Sequence, residues 1–411
     1  MKADYFRLQG WLKGGIMHIV IAHFGTHYVG NPGGVEKVIC QFSNEMIRRG
    51  HAVTILYRDY CEGNPYFPLD GRVVQNNILF QDGKKIISEK LPVGLRVLRE
   101  IVRVFSKSGG QELNARFKGR QYRMQIQKYL ADHPADVVLS CSVPSTKYVI
   151  DDAHCTAPVI QMMHSHPRYL FPRMSKAEKE AVGKCRVLQI LLPSGLKTAK
   201  EFFPNLPVKV IGNPVYPPVK EAHPGEAKEK YLISCVGSLT KNKQQQLLCK
   251  AFARLAADYP DWNVELWGYS GSFGRSIQSW AEKHSLSDRI FIKGKTTHVE
   301  EVYARSDIFC LPSRAEGWGL GLTEAMAAGV PAVGFKGCTG VEDLIQDGIT
   351  GLLAENGDVD SLATALRSLM NDASKRKIMG QQAAESMKQY APEKIWNEWE
   401  ALLKDVIAGK K

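Results

Sequence analysis

No stretch of the sequence approaches the roughly 18 consecutive apolar residues that a membrane-spanning helix needs. Residues 1–16 carry several charges and lack the apolar core of a signal peptide, so we expect an N-terminal arm, native or added. The 9 cysteines include no CxxC pair and several lie in apolar runs, which favours buried, reduced thiols over disulfides. These absences predict a cytoplasmic protein, with the inner face of the plasma membrane as its one expected membrane contact.

The composition is that of a folded chain with two domains. A length of 411 residues suits two domains of ordinary size, and 44% hydrophobic residues are enough to build two cores. A charged fraction of 23% excludes an intrinsically disordered tail protein.

The positive charge is concentrated in one segment. The chain carries a formal net charge of +12, and the segment from Lys84 to Lys128 holds 12 Lys and Arg against 3 acids. This basic segment is either a solvated face or a surface for an anionic partner such as a lipid headgroup or a phosphorylated glycan. We expect peripheral contact with an anionic membrane, and no nucleic acid as partner because no nucleic-acid-binding motif accompanies the charge.

Short apolar runs alternate with segments of helical periodicity in two series. The first series opens with a strand at Met17–His23, an Asn-Pro-Gly-Gly turn, a helix ending at Gly50 and a strand at Ala52–Tyr57. The second begins at Tyr231–Val236, after a proline-rich linker. Between the two strand groups of the first series, residues 60–130 are predicted to form loops and basic helices.

Such alternation predicts an α/β fold with two doubly wound, Rossmann-like domains facing an inter-domain cleft. The final helix is expected near Trp396–Ile407, with a crossing back to the first domain as one option. The expected parts are an arm at 1–16, a first Rossmann-like domain at 17–212, a linker at 213–228, a second Rossmann-like domain at 229–390 and a C-terminal helix at 391–411.

The strongest motif lies between an apolar strand and a helix, in residues 314–331. Its glycines Gly317, Gly319 and Gly321 allow a ligand to approach the backbone, and the amides that open the following helix suit an anion such as a diphosphate. Two carboxylates, Glu316 and Glu324, suit a ligand rich in hydroxyl groups because each accepts two hydrogen bonds. A glycine-rich turn with a capping Glu316 and a solvated Glu324 is the structural alternative.

The string EGWGLGLTEAMAAGVPAV, with its Glu316–x7–Glu324 spacing, resembles the signature of family 4 glycosyltransferases. The resemblance runs in outline from Met17 to the C-terminus and is weakest over 60–130. It implies a GT-B fold and a retaining enzyme that uses a nucleotide sugar without a metal or other cofactor. In such an enzyme the domain at 17–212 would be the acceptor domain and the domain at 229–390 the nucleotide-sugar domain. Glu324 would then hold the donor ribose, Glu316 the transferred sugar, and the backbone of Gly317, Trp318, Gly319 and Leu320 the sugar and diphosphate.

A second glycine turn, residues 237–243, follows the strand Tyr231–Val236. Its Lys243 can neutralise a pyrophosphate leaving group, although a solvated basic turn has the same composition. The family usually has an arginine where this chain has Ser238, so one phosphate cation is missing. Lys241 is a candidate substitute.

Two motifs of the first domain complete the set. Gly33 and Gly34 precede a helix and match the glycine loop of the family, which meets donor phosphate or acceptor. His164, with His166 as the alternative, stands where the family places a histidine against the transferred sugar. A structural histidine is the competing interpretation, and an HxH metal pair lacks further ligands.

Asp358 and Asp360 form a DxD sequence, but they precede an expected helix and are interpreted as capping residues rather than metal ligands. The Phe291–Lys295 turn and the Gly268–Gly271 loop are the expected contacts of the nucleotide base, whose identity the sequence does not encode.

Together these residues predict a hexosyltransferase with Glu316, Lys243 and His164 in catalytic roles. The expected reaction moves a sugar from a UDP donor to a glycan or lipid-linked acceptor in bacterial surface polysaccharide or lipopolysaccharide assembly. The alternatives are a GT-B sugar phosphorylase, a nucleotide-sugar epimerase, and a basic membrane-binding or nucleic-acid-binding protein with an inactive site.

Overall fold

The computed structural model describes residues 15–87 and 90–409 and divides into two compact units. Most of the expected N-terminal arm, residues 1–14, lies outside the described residues. The first unit comprises Met1–Ile190, Leu196–Ile211 and Trp396–Lys411, and the second comprises Leu191–Gly195 and Gly212–Ile395. This division differs from the expected ranges, because the linker at 213–228 belongs to the second unit and Leu191–Gly195 leaves the first.

The first unit contains a parallel sheet of seven strands in the order β3-β2-β1-β6-β7-β8-β9. Its strands are short and largely buried, as is usual when helices cover both faces of a parallel sheet. The seven strands of the sheet are β1 His18–His23, β2 Ala52–Tyr57, β3 Val74–Asn77, β6 Val137–Ser140, β7 Val159–Met162, β8 Val187–Ile190 and β9 Val208–Val210. The strands β4 Phe80–Gln81 and β5 Lys84–Lys85 form a separate hairpin. Its helices are α1 Gly34–Arg48, α2 Val93–Phe105, α3 Lys107–Asp132, α4 Val143–Lys147, α5 Pro167–Leu170, α6 Lys176–Gly183 and α7 Leu196–Phe202.

The second unit contains a parallel sheet of six strands in the order β12-β11-β10-β13-β14-β15. Its strands are β10 Tyr231–Val236, β11 Trp262–Trp267, β12 Ile290–Gly294, β13 Ile308–Leu311, β14 Ala332–Phe335 and β15 Gly351–Ala354. Its helices are α8 Gln245–Ala253, α9 Gly271–Lys283, α10 Val299–Ala304, α11 Leu320–Ala327, α12 Val359–Met370 and α13 Ala373–Met387, and α14 Pro392–Ile407 then ends the chain.

Each sheet reverses its strand order beside its first strand. In the first unit β1 pairs with both β2 and β6, and in the second β10 pairs with both β11 and β13. Ligands of open parallel sheets bind at such switch points, beyond the carboxyl ends of the strands. The loops after β10 and β13 are therefore the expected ligand-binding loops of the second unit.

The last helix packs its indole rings into the core of the first unit. The rings of Trp396 and Trp399 meet the Phe42 ring of α1 edge-on, with centroids 5.9 and 5.4 Å apart. Arg49 adds an ion pair to Glu400 at 2.7 Å. From Trp396 onward this helix is thus an integral part of the first unit.

The segment at 60–130 contains more regular structure than expected. It supplies the edge strand β3 as well as the two helices α2 and α3. The strand was missed because its sequence, Val-Gln-Asn-Asn, is polar and only partly buried at the edge of the sheet.

No helix of the described residues is both long and apolar enough to cross a membrane. All nine cysteines are free thiols, and all but Cys61 and Cys155 are buried.

Candidate active site

Two loops that follow neighbouring strands meet at one edge of the second sheet. Residues 237–243 follow β10, and residues 312–319 follow β13. The amide of Arg314 donates a hydrogen bond to the carbonyl of Asn242, and the Asn242 side-chain amide donates to the carbonyl of Ala315, each at 2.8 Å. These bonds hold the two predicted motifs against each other.

The functional groups of the two loops form an ion pair. Lys243 Nζ lies 2.6 Å from Glu316 Oε1, and the Glu316 side chain is only 9% exposed. The lysine stem passes close to Gly237, whose backbone has a φ of +151°, and a Cβ atom there would lie 3.6 Å from Lys243 Cε. The cation predicted to bind phosphate, Lys243, therefore lies in direct contact with the carboxylate predicted to bind the sugar, Glu316.

A third loop fixes the backbone of Glu316. Its amide donates to the carbonyl of Thr339 at 3.2 Å, and Thr339 Oγ1 donates back to the Glu316 carbonyl at 3.2 Å. Gly340, with a φ of +77°, approaches so closely that a Cβ there would lie 3.0 Å from Glu316 Cβ. The glycine turn at 340 is thus a structural support for the carboxylate.

The helix α11 begins without a capping side chain. Its N-cap residue is Gly319, in the left-handed region with a φ of +82° and with no side-chain hydrogen bond to the first turn. Gly321 lets that turn approach β10, because a Cβ there would lie 3.0 Å from the carbonyl oxygen of Val236. An uncapped helix N-terminus beside the Gly237 loop is suited to an anion.

Trp318 contributes its side chain to packing. The indole is buried, its Nε1 donates to Thr323 Oγ1 at 3.2 Å, and its ring meets Tyr390 edge-on at 4.7 Å. Among the atoms of Trp318, only the backbone is left for the ligand contact that was predicted for Gly317 to Leu320.

Glu324 is held by a residue that the sequence analysis missed. Tyr303 Oη donates to Glu324 Oε2 at 3.0 Å. Burial, followed by the neighbouring Glu324 charge, raises the pKa of Tyr303 well above its usual value, so the phenol remains a donor. No motif marks Tyr303, which reaches Glu324 because α10 lies beside β13 and α11.

The loops predicted to meet the nucleotide base lie side by side. Gly237 donates its amide to the Trp267 carbonyl at 2.8 Å, and Gly268 donates to the Gly294 carbonyl at 2.7 Å. The Tyr269 ring is 60% exposed, with Lys295 Nζ 5.5 Å from its centroid. An exposed aromatic ring next to the Gly237 loop is a suitable platform for a planar ligand.

In the first unit, a buried carboxylate stabilises the glycine loop. Glu36 accepts hydrogen bonds from Thr26 Oγ1 at 2.7 Å and faces His23 Nε2 at 3.1 Å. Burial opposes ionisation, but the bonds from His23 and Thr26 outweigh it and lower the pKa of Glu36. The other carboxylate oxygen turns back onto Gly33, where any Cβ would lie 2.1 Å away. A side chain at position 33 would therefore displace the Glu36 carboxylate, and Gly34 opens α1.

A second acid, Asp59, anchors the start of the same loop. Its carboxylate accepts the amides of Tyr28 and Val29, each at 2.8 Å, and faces His27 Nδ1 at 3.1 Å. Burial works against the charge, yet these hydrogen bonds lower the pKa of Asp59. Neither Glu36 nor Asp59 was selected as a site residue, since a lone acid near a turn has no distinctive spacing.

The two candidate histidines have different environments. His166 is the N-cap of α5, where its Nδ1 accepts the Arg168 amide at 3.2 Å. His164 follows β7 and is half-buried, and its enclosed Nε2 has no hydrogen-bond partner among the described residues. Of the two, His164 is the one with a buried ring nitrogen that lacks a partner among the described residues.

The Asp-x-Asp sequence caps a helix, as predicted. Asp358 Oδ1 accepts the amides of Asp360 at 2.8 Å and Ser361 at 3.1 Å at the start of α12, and Asp360 contacts Arg254. Within 15–87 and 90–409, no group of three or more His, Cys, Asp or Glu side chains is arranged around a common metal position.

Residues 219–386, which include all of the second-unit site, match the family model of the group 1 glycosyl transferases. The second unit carries the sequence pattern of this family. This match agrees with the predicted enzyme class, a glycosyltransferase, over the matched residues.

Two curated relatives match 44% and 68% of this chain. N-acetyl-alpha-D-glucosaminyl L-malate synthase of Bacillus anthracis is 35% identical over 184 residues, which cover 44% of this chain and 47% of that protein. The GalNAc-alpha-(1->4)-GalNAc-alpha-(1->3)-diNAcBac-PP-undecaprenol alpha-1,4-N-acetyl-D-galactosaminyltransferase of Campylobacter jejuni is 24% identical over 283 residues, which cover 68% of this chain and 78% of that protein. The chain spans about half of the length of the Bacillus relative, and the substrates of these relatives are therefore not assigned to this chain.

The likeness to solved structures extends over both units. Sucrose-phosphate synthase of Thermosynechococcus elongatus has a TM-score of 0.75 at 17% identity and covers 96% of this chain and 100% of that one. At such identity the likeness establishes the fold alone, and the predicted GT-B fold is confirmed. The individual residue roles remain predictions.

The pH dependence of stability provides a test of the His164 environment. Burial, and then the nearby His23, lowers the pKa of His164 from 6.5 to about 4. Between these values the unfolded chain binds the proton and the folded chain does not, so stability falls as the pH falls from 6.5 to 4. We expect His164 to account for up to about 3 kcal/mol of this loss.

The measurement is urea unfolding of the wild type, His164→Gln and His223→Gln at several pH values in this window. His164→Gln should flatten the acid loss of stability, whereas the exposed His223 should not affect it. Equal slopes in all three proteins would show that His164 is not kept neutral by burial.

Proposed function

We propose that this protein is a retaining hexosyltransferase that uses a nucleoside diphosphate sugar, with UDP as the expected nucleotide. The observation that carries the proposal is the contact between Lys243 and Glu316 beside the uncapped N-terminus of α11. A cation and free amides suit a diphosphate, and a carboxylate suits sugar hydroxyls, so the two halves of such a donor find matching partners at adjacent positions.

The donor diphosphate is proposed to lie between Lys243 and the backbone of Gly317 to Leu320. Ser238 and Lys241 are exposed on the loop that carries Lys243, and both are proposed to contact the phosphates. Glu324, oriented by Tyr303, is proposed to accept hydrogen bonds from the two ribose hydroxyls. Glu316 would release Lys243 to the phosphate and accept hydroxyls of the transferred sugar.

The proposed reaction breaks the bond between the anomeric carbon and the β-phosphate oxygen. The bonding electrons leave with the nucleoside diphosphate, and Lys243 and the helix N-terminus stabilise the new negative charge. An acceptor hydroxyl held on the same face forms the new bond to the anomeric carbon and gives its proton to the departing phosphate. The configuration at the anomeric carbon is retained, and the charge compensation needs no metal or other cofactor.

The first unit is proposed to supply the acceptor side. His164 is neutral at physiological pH, since burial lowers its pKa to about 4, and its Nε2 can exchange a hydrogen bond with a sugar hydroxyl. Gly33 and Gly34 allow close approach of phosphate or acceptor at the start of α1. The acceptor is proposed to be a glycan or lipid-linked glycan of bacterial surface polysaccharide or lipopolysaccharide assembly, and the basic segment to contact an anionic membrane.

A thermal-shift screen with UDP-, GDP- and ADP-sugars tests the donor class. A ligand at about 100 times its dissociation constant adds about 2.7 kcal/mol of stability, which shifts the melting temperature by several degrees. We expect the largest shift with a UDP-sugar, followed by slow release of the sugar to water in a hydrolysis assay.

The same screen separates the alternatives. Stabilisation by inorganic phosphate and a free glycan, with none by any nucleotide sugar, would identify a phosphorylase and contradict the proposal. Conversion of one nucleotide sugar into another without transfer would identify an epimerase. Absence of any nucleotide effect on stability would exclude the proposed donor class altogether.

A further inference from the structure

Helix α2, Val93–Phe105, has an apolar face that is left open to solvent. None of its 13 residues is buried. Six large apolar side chains are between 44% and 85% exposed, namely Val93, Val97, Leu98, Ile101, Val104 and Phe105. Their spacing of three and four residues aligns most of them on one side of the helix. A soluble protein ordinarily buries such a face.

The opposite side of the helix is packed, so the open face belongs to a fixed element. Leu95 and Val102 are half-buried. Val102 approaches the start of α3 so closely that a Cβ on Gly109 would lie 2.8 Å from Val102 Cγ1. A Cβ on Gly110, in the first turn of α3, would lie 3.3 Å from Arg103 Cβ and 3.4 Å from the Arg99 carbonyl oxygen. The hairpin of α2 and α3 therefore presents the apolar face outward.

Positive charge lies on the same helical hairpin as this face. Arg96 and Arg103 are exposed on α2 itself, and further exposed cations follow on α3, namely Arg116, Arg120, Arg123 and Lys128. Acids are scarce, because the whole basic segment has 3 acids against 12 Lys and Arg. Apolar side chains beside arginines on one helix are the pattern of an element that lies in the interface of an anionic bilayer.

We propose that α2 is a membrane-docking helix that inserts Val97, Ile101, Val104 and Phe105 among the lipids of an anionic bilayer while its arginines contact the headgroups. The proposal deepens the membrane contact included in the proposed function by naming the element and the lipid class. It does not depend on the donor chemistry of the second unit.

The dimensions of the face favour a bilayer over a protein partner. Thirteen helical residues span about 20 Å, and one side of so short a helix offers far less than the roughly 800 Å² that each partner buries in a stable protein interface. A second copy docked on the same face would also bring two basic segments together, which costs electrostatic repulsion. A bilayer accommodates both the small area of the face and its positive charge. A single projecting helix can enter the lipids, and the anionic headgroups complement the arginines.

Sedimentation of the full chain with lipid vesicles tests the proposal. Vesicles of phosphatidylethanolamine and phosphatidylglycerol should bind the protein, and vesicles of phosphatidylcholine alone should bind it much more weakly. The variant Ile101→Ser/Val104→Ser/Phe105→Ser removes apolar area without a change in charge, and we expect at least about tenfold weaker binding to the anionic vesicles. All three positions are exposed, so the fold should be preserved, which circular dichroism checks.

Two further variants isolate the causes. Arg96→Gln/Arg103→Gln should weaken binding about 30-fold, because each basic residue near an anionic surface contributes about 1 kcal/mol. Val219→Ser/Ile378→Ser removes apolar side chains that are 81% and 57% exposed in the second unit, and it should bind as the wild type does.

Three outcomes would overturn the proposal. They are equal vesicle binding by the wild type and the triple serine variant, a concentration-dependent dimer that the serine variant dissolves, and binding to an acidic protein such as casein but not to vesicles. Thermal stabilisation by UDP-sugars should be the same in the wild type and the triple serine variant. A failure of membrane docking is thus separable from a failure of the proposed donor chemistry.

Discussion

Replacing Lys243 by methionine should lower kcat by about 100- to 1,000-fold, the usual cost of removing one preorganised group that stabilises developing charge. The methionine keeps the apolar stem that passes over Gly237 but removes the ammonium that lies 2.6 Å from Glu316. Because negative charge grows on the diphosphate as the anomeric bond breaks, the lost interaction is stronger in the transition state than with bound donor. KM for the donor should therefore change by much less than kcat.

Steady-state kinetics of sugar transfer or donor hydrolysis measure this split. Lys250→Met is the matched control, since Lys250 is an exposed lysine of α8 in the same unit. A kcat within about threefold of the wild type would remove Lys243 from the mechanism. A large loss in the lysine control would instead indicate a general effect on the unit.

The contact between Lys243 and Glu316 also shows where sequence reasoning stops. Each residue was selected for its chemistry and its place after an apolar strand, and the strands β10 and β13 were predicted because buried runs of four to six residues between turn signals are characteristic. That the two loops touch follows from the pairing of β10 with β13, a long-range choice that no local pattern encodes. The sequence therefore predicted which residues form the site but not how they are arranged in space.

The residues that position the site were not predicted either, because their contacts also depend on long-range packing. Tyr303 positions Glu324 from a different helix, and Glu36 stabilises the loop at Gly33 through a carboxylate folded back on the chain. Neither has a spacing that distinguishes it from an ordinary surface residue. The edge strand β3 was missed because it is defined by hydrogen bonds to β2 and lacks the run of buried apolar side chains that predicts a strand.

Substitution of Glu324 by glutamine should weaken binding of the donor and of the free nucleotide by the same factor, about 10- to 100-fold. Charge-assisted hydrogen bonds contribute about 1.5–3 kcal/mol each, and glutamine keeps the shape of the side chain but not the charge. The two ligands should be affected equally because both carry the ribose that Glu324 is proposed to hold. Tyr303→Phe should produce a smaller loss of the same kind, since it frees the Glu324 carboxylate from its 3.0 Å hydrogen bond.

Glu316→Gln supplies the contrasting result. If Glu316 binds the transferred sugar, this variant should lose affinity for the UDP-sugar while keeping or gaining affinity for UDP, because Lys243 is then released from its ion pair. Calorimetric titration of wild type, Glu324→Gln, Glu316→Gln and the exposed control Glu301→Gln with both ligands measures the four pairs of constants. Losses that do not divide between ribose and sugar in this way would refute the assigned roles, even if both variants are inactive. The crossed pattern therefore tests the positions of the two acids along the donor, which activity alone does not resolve.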